Sequence, residues 1–363
     1  MTRLKTASAL AACVAILVQA GDAAACAGCR NPSLAVGRST DQPIDEGVLR
    51  LGATVTATAI HVIHEAGCAE YETDPSLCTE IPAQPLYLHD QWLYPVELRA
   101  VGEYSFNSTF GVEAQLPFRA VATRIKYTTP DGGRYDPTGP NDVHHRNETV
   151  TGVADAWLLA RVGMMLDKWW LAARPGVSIP IGATREDPFA LGDQGLRHQH
   201  IQLGTGTFDP LLVLEVFRQW ESLRLGMYVQ GQASLYENSH GYRAPWRVFG
   251  GASVGTTLVG KLSGSLGPEL FHESEEHWQG VVRQDGSLGR TELLANASLT
   301  QRIDSTDLNL GVRVPLWRHI VQGSEDPGNL TQPLTVFFGI SHQFGAAPLK
   351  GSSPKTTATA TID

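Results

Sequence analysis

The chain has 363 residues, a formal net charge of −9, 42% hydrophobic residues and only 18% charged residues. That is too apolar for a disordered chain and too acidic for the basic patch of a nucleic-acid binder, so no nucleic acid is expected as a partner. Low charge with 37 glycines suits a chain that alternates apolar and polar residues, and length alone allows one large domain or two ordinary ones.

Residues 1–25 read as a secretory signal peptide. Arg3 and Lys5 form the positive start, Ala7 to Ala20 the apolar run, and Ala23-Ala24-Ala25 a small-residue cleavage site. The run falls short of the roughly 20 residues of an uncleaved membrane anchor. Cleavage leaves 26 basic and 36 acidic residues, a net charge of −10. Cys26 would then be the first mature residue, which opens acylation as an alternative, although Ala23 stands where a bacterial lipobox carries leucine. Residues 26–46 are expected to form an N-terminal periplasmic segment. Four cysteines remain, Cys26, Cys29, Cys68 and Cys78. An even number in an exported chain suits two disulfides, with Cys68–Cys78 closing a loop and Cys26–Cys29 a tight ring. Metal binding by Cys26 and Cys29 stays open. The sequons at Asn107, Asn147, Asn296 and Asn329 matter only in a eukaryotic secretory pathway.

Beyond the signal, the apolar run from Gly152 to Gly176 is interrupted by Asp155, Arg161, Asp167 and Lys168, so no membrane helix is expected. Alternation with a period of two dominates. Phe110, Val112, Ala114, Leu116 and Phe118 alternate with Gly111, Glu113, Gln115, Pro117 and Arg119. Leu223 to Tyr236 and Asp307 to Leu316 alternate in the same way. The pattern predicts about twelve strands, near 48–63, 96–107, 109–126, 148–166, 169–182, 210–220, 223–236, 246–259, 261–273, 291–302, 306–319 and 334–344. Short connections near 108, 167, 221, 260 and 304 alternate with long ones, which places every long loop at one end. That rhythm predicts an all-β fold, a transmembrane antiparallel up-and-down β-barrel over 47–344. Its short turns would be periplasmic and its long loops external. The expected location is the cell outer membrane of a Gram-negative bacterium, with outer-membrane lipid around the wall.

The last strand, Val336, Phe338, Ile340, His342 and Phe344 on one face, resembles the aromatic-ended closing strand of bacterial outer-membrane proteins. That resemblance implies a transient partner, the barrel-assembly machinery, during insertion. Residues 345–363, rich in Ala, Thr, Ser and Pro, are expected to be a disordered periplasmic tail.

Three stretches carry a wider resemblance. They are Gly152-Val153-Ala154-Asp155-Ala156, Pro175-Gly176-Val177-Ser178-Ile179-Pro180-Ile181-Gly182, and His200-Ile201-Gln202-Leu203-Gly204-Thr205-Gly206-Thr207-Phe208-Asp209. With them the region Gly152–Phe217 resembles the outer-membrane transporter family labelled "MetA-pathway of phenol degradation". The resemblance implies passage of small hydrophobic or aromatic compounds across the outer membrane. Gly204-Thr205-Gly206-Thr207 lacks the lysine of a phosphate loop and reads instead as backbone folded back into the barrel mouth.

No GxSxG, HExxH or paired metal-ligand helix occurs, so no enzyme is expected. Charges on strands should face inward, because a charge at the lipid midplane costs about 2–4 kcal/mol. The lumen-lining candidates are Glu97, Arg99, Glu103, Glu113, Arg119, Arg161, Arg174, Arg224, Tyr228 and Arg313, with Arg302. They stiffen the wall as ion pairs or line a polar pathway. Twelve strands enclose less space than a 16-strand porin, which favours a selective conduit. Of Trp92, Tyr94, Trp157, Trp169, Trp170, Trp220, Trp246, Trp278 and Trp317, several lie close to predicted strand ends, where an interfacial girdle would place them; ligand stacking stays open for each. No cofactor is expected, unless Zn or Cu binds at the external mouth through His61, His64, His198 and His200. The alternative function is a structural or metal-binding cell-surface barrel without transport.

Overall fold

A computed structural model describes residues 45–66, 70–77, 85–136, 146–283, 286, 287, 289–320 and 329–345. The stretches expected to be a signal peptide and a tail, most of residues 26–46, and Cys26, Cys29, Cys68 and Cys78 lie outside the described residues. In chain order the strands are β1 Leu49–Thr58, β2 Ile60–Ala66, β3 Tyr87–Ser105, β4 Phe110–Thr128, β5 Glu148–Val153 and β6 Ala156–Leu166. There follow β7 Trp169–Ile179, β8 Asp209–Gln219, β9 Leu223–Gln232, β10 Tyr242–Arg243, β11 Arg247–Val259 and β12 Leu262–Glu273. The last are β13 His277–Trp278, β14 Arg290–Ile303, β15 Thr306–Ile320, β16 Asn329–Thr331 and β17 Thr335–Phe344.

Each wall strand pairs antiparallel with its neighbours in the chain, and the ring closes where β1 pairs with β17, Leu49 opposite Phe344. Because β2 continues β1, β5 precedes β6 and β16 precedes β17, the wall is a closed barrel of 12 antiparallel strands. Closure leaves the wall no open sheet edge, the condition for a sheet in hydrocarbon. The alternation sorts side chains as anticipated. On β4, Phe110, Val112, Leu116 and Phe118 are exposed outward while Glu113 and Gln115 are buried. On β17, Val336, Phe338 and Ile340 face out. No helix among the described residues is long and apolar enough to cross a membrane; the crossing is made by strands.

Two strand expectations need correction. β3 begins at Tyr87, not near 96: the stretch Tyr87 to Pro95 carries polar residues on both faces, which hides its alternation, yet it continues the ladder with β4 from Leu88 opposite Thr128. β7 and β9 end at Ile179 and Gln232, earlier than expected, since their last turns leave the wall to form loops over the lumen. The tryptophans divide between the two faces of the wall. Trp170 and Trp278 are buried and Trp157 packs inward against Leu159, Leu211 and Val213, whereas Trp220, Trp246 and Trp317 are exposed. On β6 and β7 the period of two sets Trp157 on the face of Arg161 and Trp170 on the face of Arg174, both inward.

Candidate functional site

The lumen is built from charges that the wall strands turn inward. Glu97 accepts bonds from Arg99 Nε (2.8 Å) and Arg119 Nε (2.6 Å). Arg99 then donates to Gln115 (2.7 Å), and Gln115 donates to Glu113 (2.5 Å). Arg174 Nη1 bridges Glu113 (2.6 Å) and Glu103 (2.8 Å), and its Nε reaches Glu215 (2.9 Å). Arg50 also pairs with Glu103, and Arg161 donates to Ser105 Oγ (2.6 Å) with Glu103 at 3.8 Å. This chain of charge-assisted bonds joins β1, β3, β4, β6, β7 and β8 across one half of the barrel. Buried charges persist only when paired in this way.

The opposite half has its own centre. Arg313 Nε donates to Glu269 (2.6 Å), which also accepts from Tyr228 Oη and Asn296 Nδ2, each at 3.0 Å. The Arg313 guanidinium lies over Phe337 at 4.6 Å and near Phe249 at 5.5 Å, within cation–π range. Gly311 makes room for Phe337: a Cβ there would sit 2.2 Å from its ring. Nearer the mouth, Arg318 pairs with Glu292 (2.5 Å) and Arg290 lies between Glu292 and Glu273 at 3.6 and 3.5 Å. Arg302 pairs with Asp307 (2.7 Å) and Arg224 sits half-buried at the start of β9.

Above these networks the long connection from β7 to β8 turns into the barrel. Its fastening is Asp155, at the break between β5 and β6. Asp155 accepts from Gly182 N (2.9 Å), Thr205 N (2.6 Å) and Thr205 Oγ1 (2.9 Å). Gly204 is required here, since a Cβ on it would come within 2.5 Å of the Asp155 carboxylate and 2.7 Å of the Gly182 carbonyl oxygen. Ile201 and Leu203 then pack into a cluster with Ile60, Val62, Leu93, Val121 and Val150 from β2, β3, β4 and β5.

An aromatic roof covers the end that carries the long connections. A short helix, Pro188–Asp193, is capped by Asp187, which accepts from Phe189 N and Ala190 N at 2.9 and 3.2 Å. It brings Phe189 against Trp278 (6.1 Å between ring centroids) and His200 (5.1 Å). The ribbon β10–β13 sets Tyr242 opposite Trp278, rings 4.7 Å apart. Three loops distant in sequence thus share one apolar cluster of Phe189, Tyr242, Ala244 and Trp278.

Of the histidines singled out by sequence, His198 and His200 are buried side by side, 5.1 Å apart. His61 bonds to Asp90 (2.7 Å) and stacks on Trp92. His64 lies in β2 opposite His89 in the ladder. Among the described residues no group of three or more His, Cys, Asp or Glu side chains is placed to hold a metal ion. Sequence reasoning missed Arg50, Glu215, Glu269, Glu292 and Arg247 in the lumen. Each is a charge on a strand, the same signal that found the others. It also missed Phe249, Phe271 and Phe337, although the period of two puts each on an inward face, with Arg247, with Glu269 and Glu273, and with Thr335.

An inward charged network inside an outward apolar belt defines an outer-membrane β-barrel, and its location is the outer membrane. No family model and no curated protein matches the chain. Among solved structures it is similar to an outer membrane channel from Pseudomonas putida F1, with 10% identity, 85% of this chain and 100% of that chain covered, and a TM-score of 0.55. A toluene transporter of Ralstonia pickettii is more remote, at 7% identity, 83% and 90% coverage and a TM-score of 0.37. The first likeness supports the barrel fold.

Proposed function

We propose that this barrel is a channel for small hydrophobic or aromatic compounds in the outer membrane of a Gram-negative bacterium, and that it catalyses no reaction. The observation that carries the reading is the roof of Phe189, Tyr242 and Trp278. An apolar solute gains contacts among such rings, whereas a hydrated ion would shed its water there. The P. putida protein is described as an outer membrane channel and the R. pickettii protein as a toluene transporter, which agrees with this reading. So does the resemblance of Gly152–Phe217 to the phenol-degradation transporter family. Residues 1–25 would be removed on export, residues 26–46 would lie in the periplasm, and the strand ending at Phe344 would be read by the barrel-assembly machinery. The lumen-lining charges Glu97, Arg99, Glu103, Glu113, Arg119, Arg161, Arg174, Arg224 and Arg313, with Tyr228, would form the polar frame of the path.

Uptake of labelled toluene by a deletion strain, with and without the gene restored, tests the proposal. Restored uptake of toluene without restored uptake of a sugar of similar size is the expected result; equal uptake in both strains would overturn it. The continuous ion-pair chain through one half of the lumen favours a second reading, a filled structural barrel. Such a barrel would give no reproducible conductance steps in a planar bilayer.

A further inference from the structure

Beneath the inward loop lies a cavity of about 40 Å³ whose wall includes Arg99, Arg119, Arg247, Ser178, Trp157 and Leu203. By that measure a water takes roughly 10–15 Å³, so the space suits about three non-hydrogen atoms. Three guanidinium groups face one small space, and two of them have donors to spare. Arg119 uses only its Nε, on Glu97 (2.6 Å), and Arg247 only its Nε, on Glu273 (3.3 Å). The terminal nitrogens of both have no hydrogen-bond partner among the described residues. Ser178 Oγ is fully buried and likewise without a partner. The acid on this wall, Asp155, is already engaged by three donors of the inward loop. Donors therefore outnumber acceptors around the space. The Trp157 ring, 4.5 Å from the Arg99 guanidinium, and Leu203 supply an apolar side.

We propose that this cavity is a subsite for the carboxylate head of a small organic acid with an aromatic body. Guanidinium forks match a carboxylate in shape and charge, and the three-atom head fits the volume. The ring, too large for that space, would extend out of it along Trp157 and Leu203. The inference rests on the channel reading for its biological sense, and it extends the solutes from neutral compounds to their acids. The binding site itself can be tested without transport.

Isothermal titration of benzoate, benzamide and acetate into the full-length protein folded in detergent at pH 7.5 tests it. Benzamide keeps the ring without the charge, and acetate keeps the charge without the ring. Benzoate is expected to bind at least tenfold tighter than either. The pair Arg119→Gln with Arg247→Gln should weaken benzoate at least tenfold while heat-modifiable mobility stays that of a folded barrel. If the double variant does not fold, each single variant should weaken benzoate at least threefold. Equal binding of benzoate and benzamide, or unchanged binding in the folded variants, would overturn the subsite. Equal binding of acetate would overturn the part given to Trp157 and Leu203. Benzoate binding without toluene uptake would leave the subsite standing and remove the channel reading.

Discussion

Arg174 holds together one half of the lumen, and its removal is the sharpest test of how the barrel is filled. It is 2% exposed and touches three carboxylates, those of Glu113, Glu103 and Glu215, at 2.6, 2.8 and 2.9 Å. At an effective dielectric near 20 and about 4 Å between charge centres, each pair contributes about 4 kcal/mol. The gross attraction is therefore about 12 kcal/mol, most of it offset by the cost of burying four charges. In Arg174→Gln the three carboxylates stay buried while the attraction goes. Arg50 still serves Glu103, and Glu113 keeps the bond from Gln115. The expected loss is about 3–5 kcal/mol, the range for breaking a buried pair from one side. Guanidinium unfolding in lipid vesicles, followed by tryptophan emission, measures it. Adding Glu113→Gln should restore part of the loss, because one orphaned charge disappears with it. A loss below about 1 kcal/mol, or a double variant no better than the single one, would mean that water enters this half of the lumen and screens the carboxylates.

Other consequences follow from the roof, the inward loop and the external ribbon. Gly204→Val places side-chain atoms against the Asp155 carboxylate and the Gly182 carbonyl oxygen, so the inward loop should detach. Trypsin should then cut at the exposed Arg185 and Arg197 severalfold faster than in the parent, and an unchanged cleavage rate would contradict the fastening role of Asp155. Trp278→Ala removes the ring shared by Phe189 and Tyr242. It should cost about 3–5 kcal/mol where the side chain is fully buried and raise single-channel conductance; an unaltered conductance trace would show that the roof does not close the mouth. Burial, followed by the nearby Arg243, lowers the pKa of His277 from its usual 6.5. The unfolded chain then takes up this proton first, so His277 contributes stability above pH 6.5 that is lost as pH falls toward its folded value. An NMR titration should place its midpoint below 6.5, and a midpoint at or above 6.5 would refute the assignment.

Much of this barrel was legible along the chain. The near-strict alternation of β4 and β15 tells inside from outside, and short connections alternating with long ones tell how strands join. Both are local properties: successive side chains on a strand face opposite ways, and a charge cannot face lipid cheaply. Hence Glu97, Glu113, Arg174 and Arg313 could be placed in the lumen from sequence. Their partners could not. Arg174 meets Glu103 71 residues away, and Arg313 meets Glu269 44 residues away, because ring closure sets which strands face each other.

The sequence by itself determined the closed sheet, its number of strands and the sign of each face, since these follow from a period of two residues and a membrane outside. Only the tertiary structure decided what fills the inside. Phe249 and Phe337, on different strands, come together over the Arg313 guanidinium. Asp155 becomes the anchor of a loop that begins 25 residues further on. Phe189, Tyr242 and Trp278 become one roof. A one-residue-thick wall constrains its outer face through the solvent alone. Its inner face is constrained by whatever the curvature of twelve strands brings within reach, and that distance is not encoded at any single position in the chain.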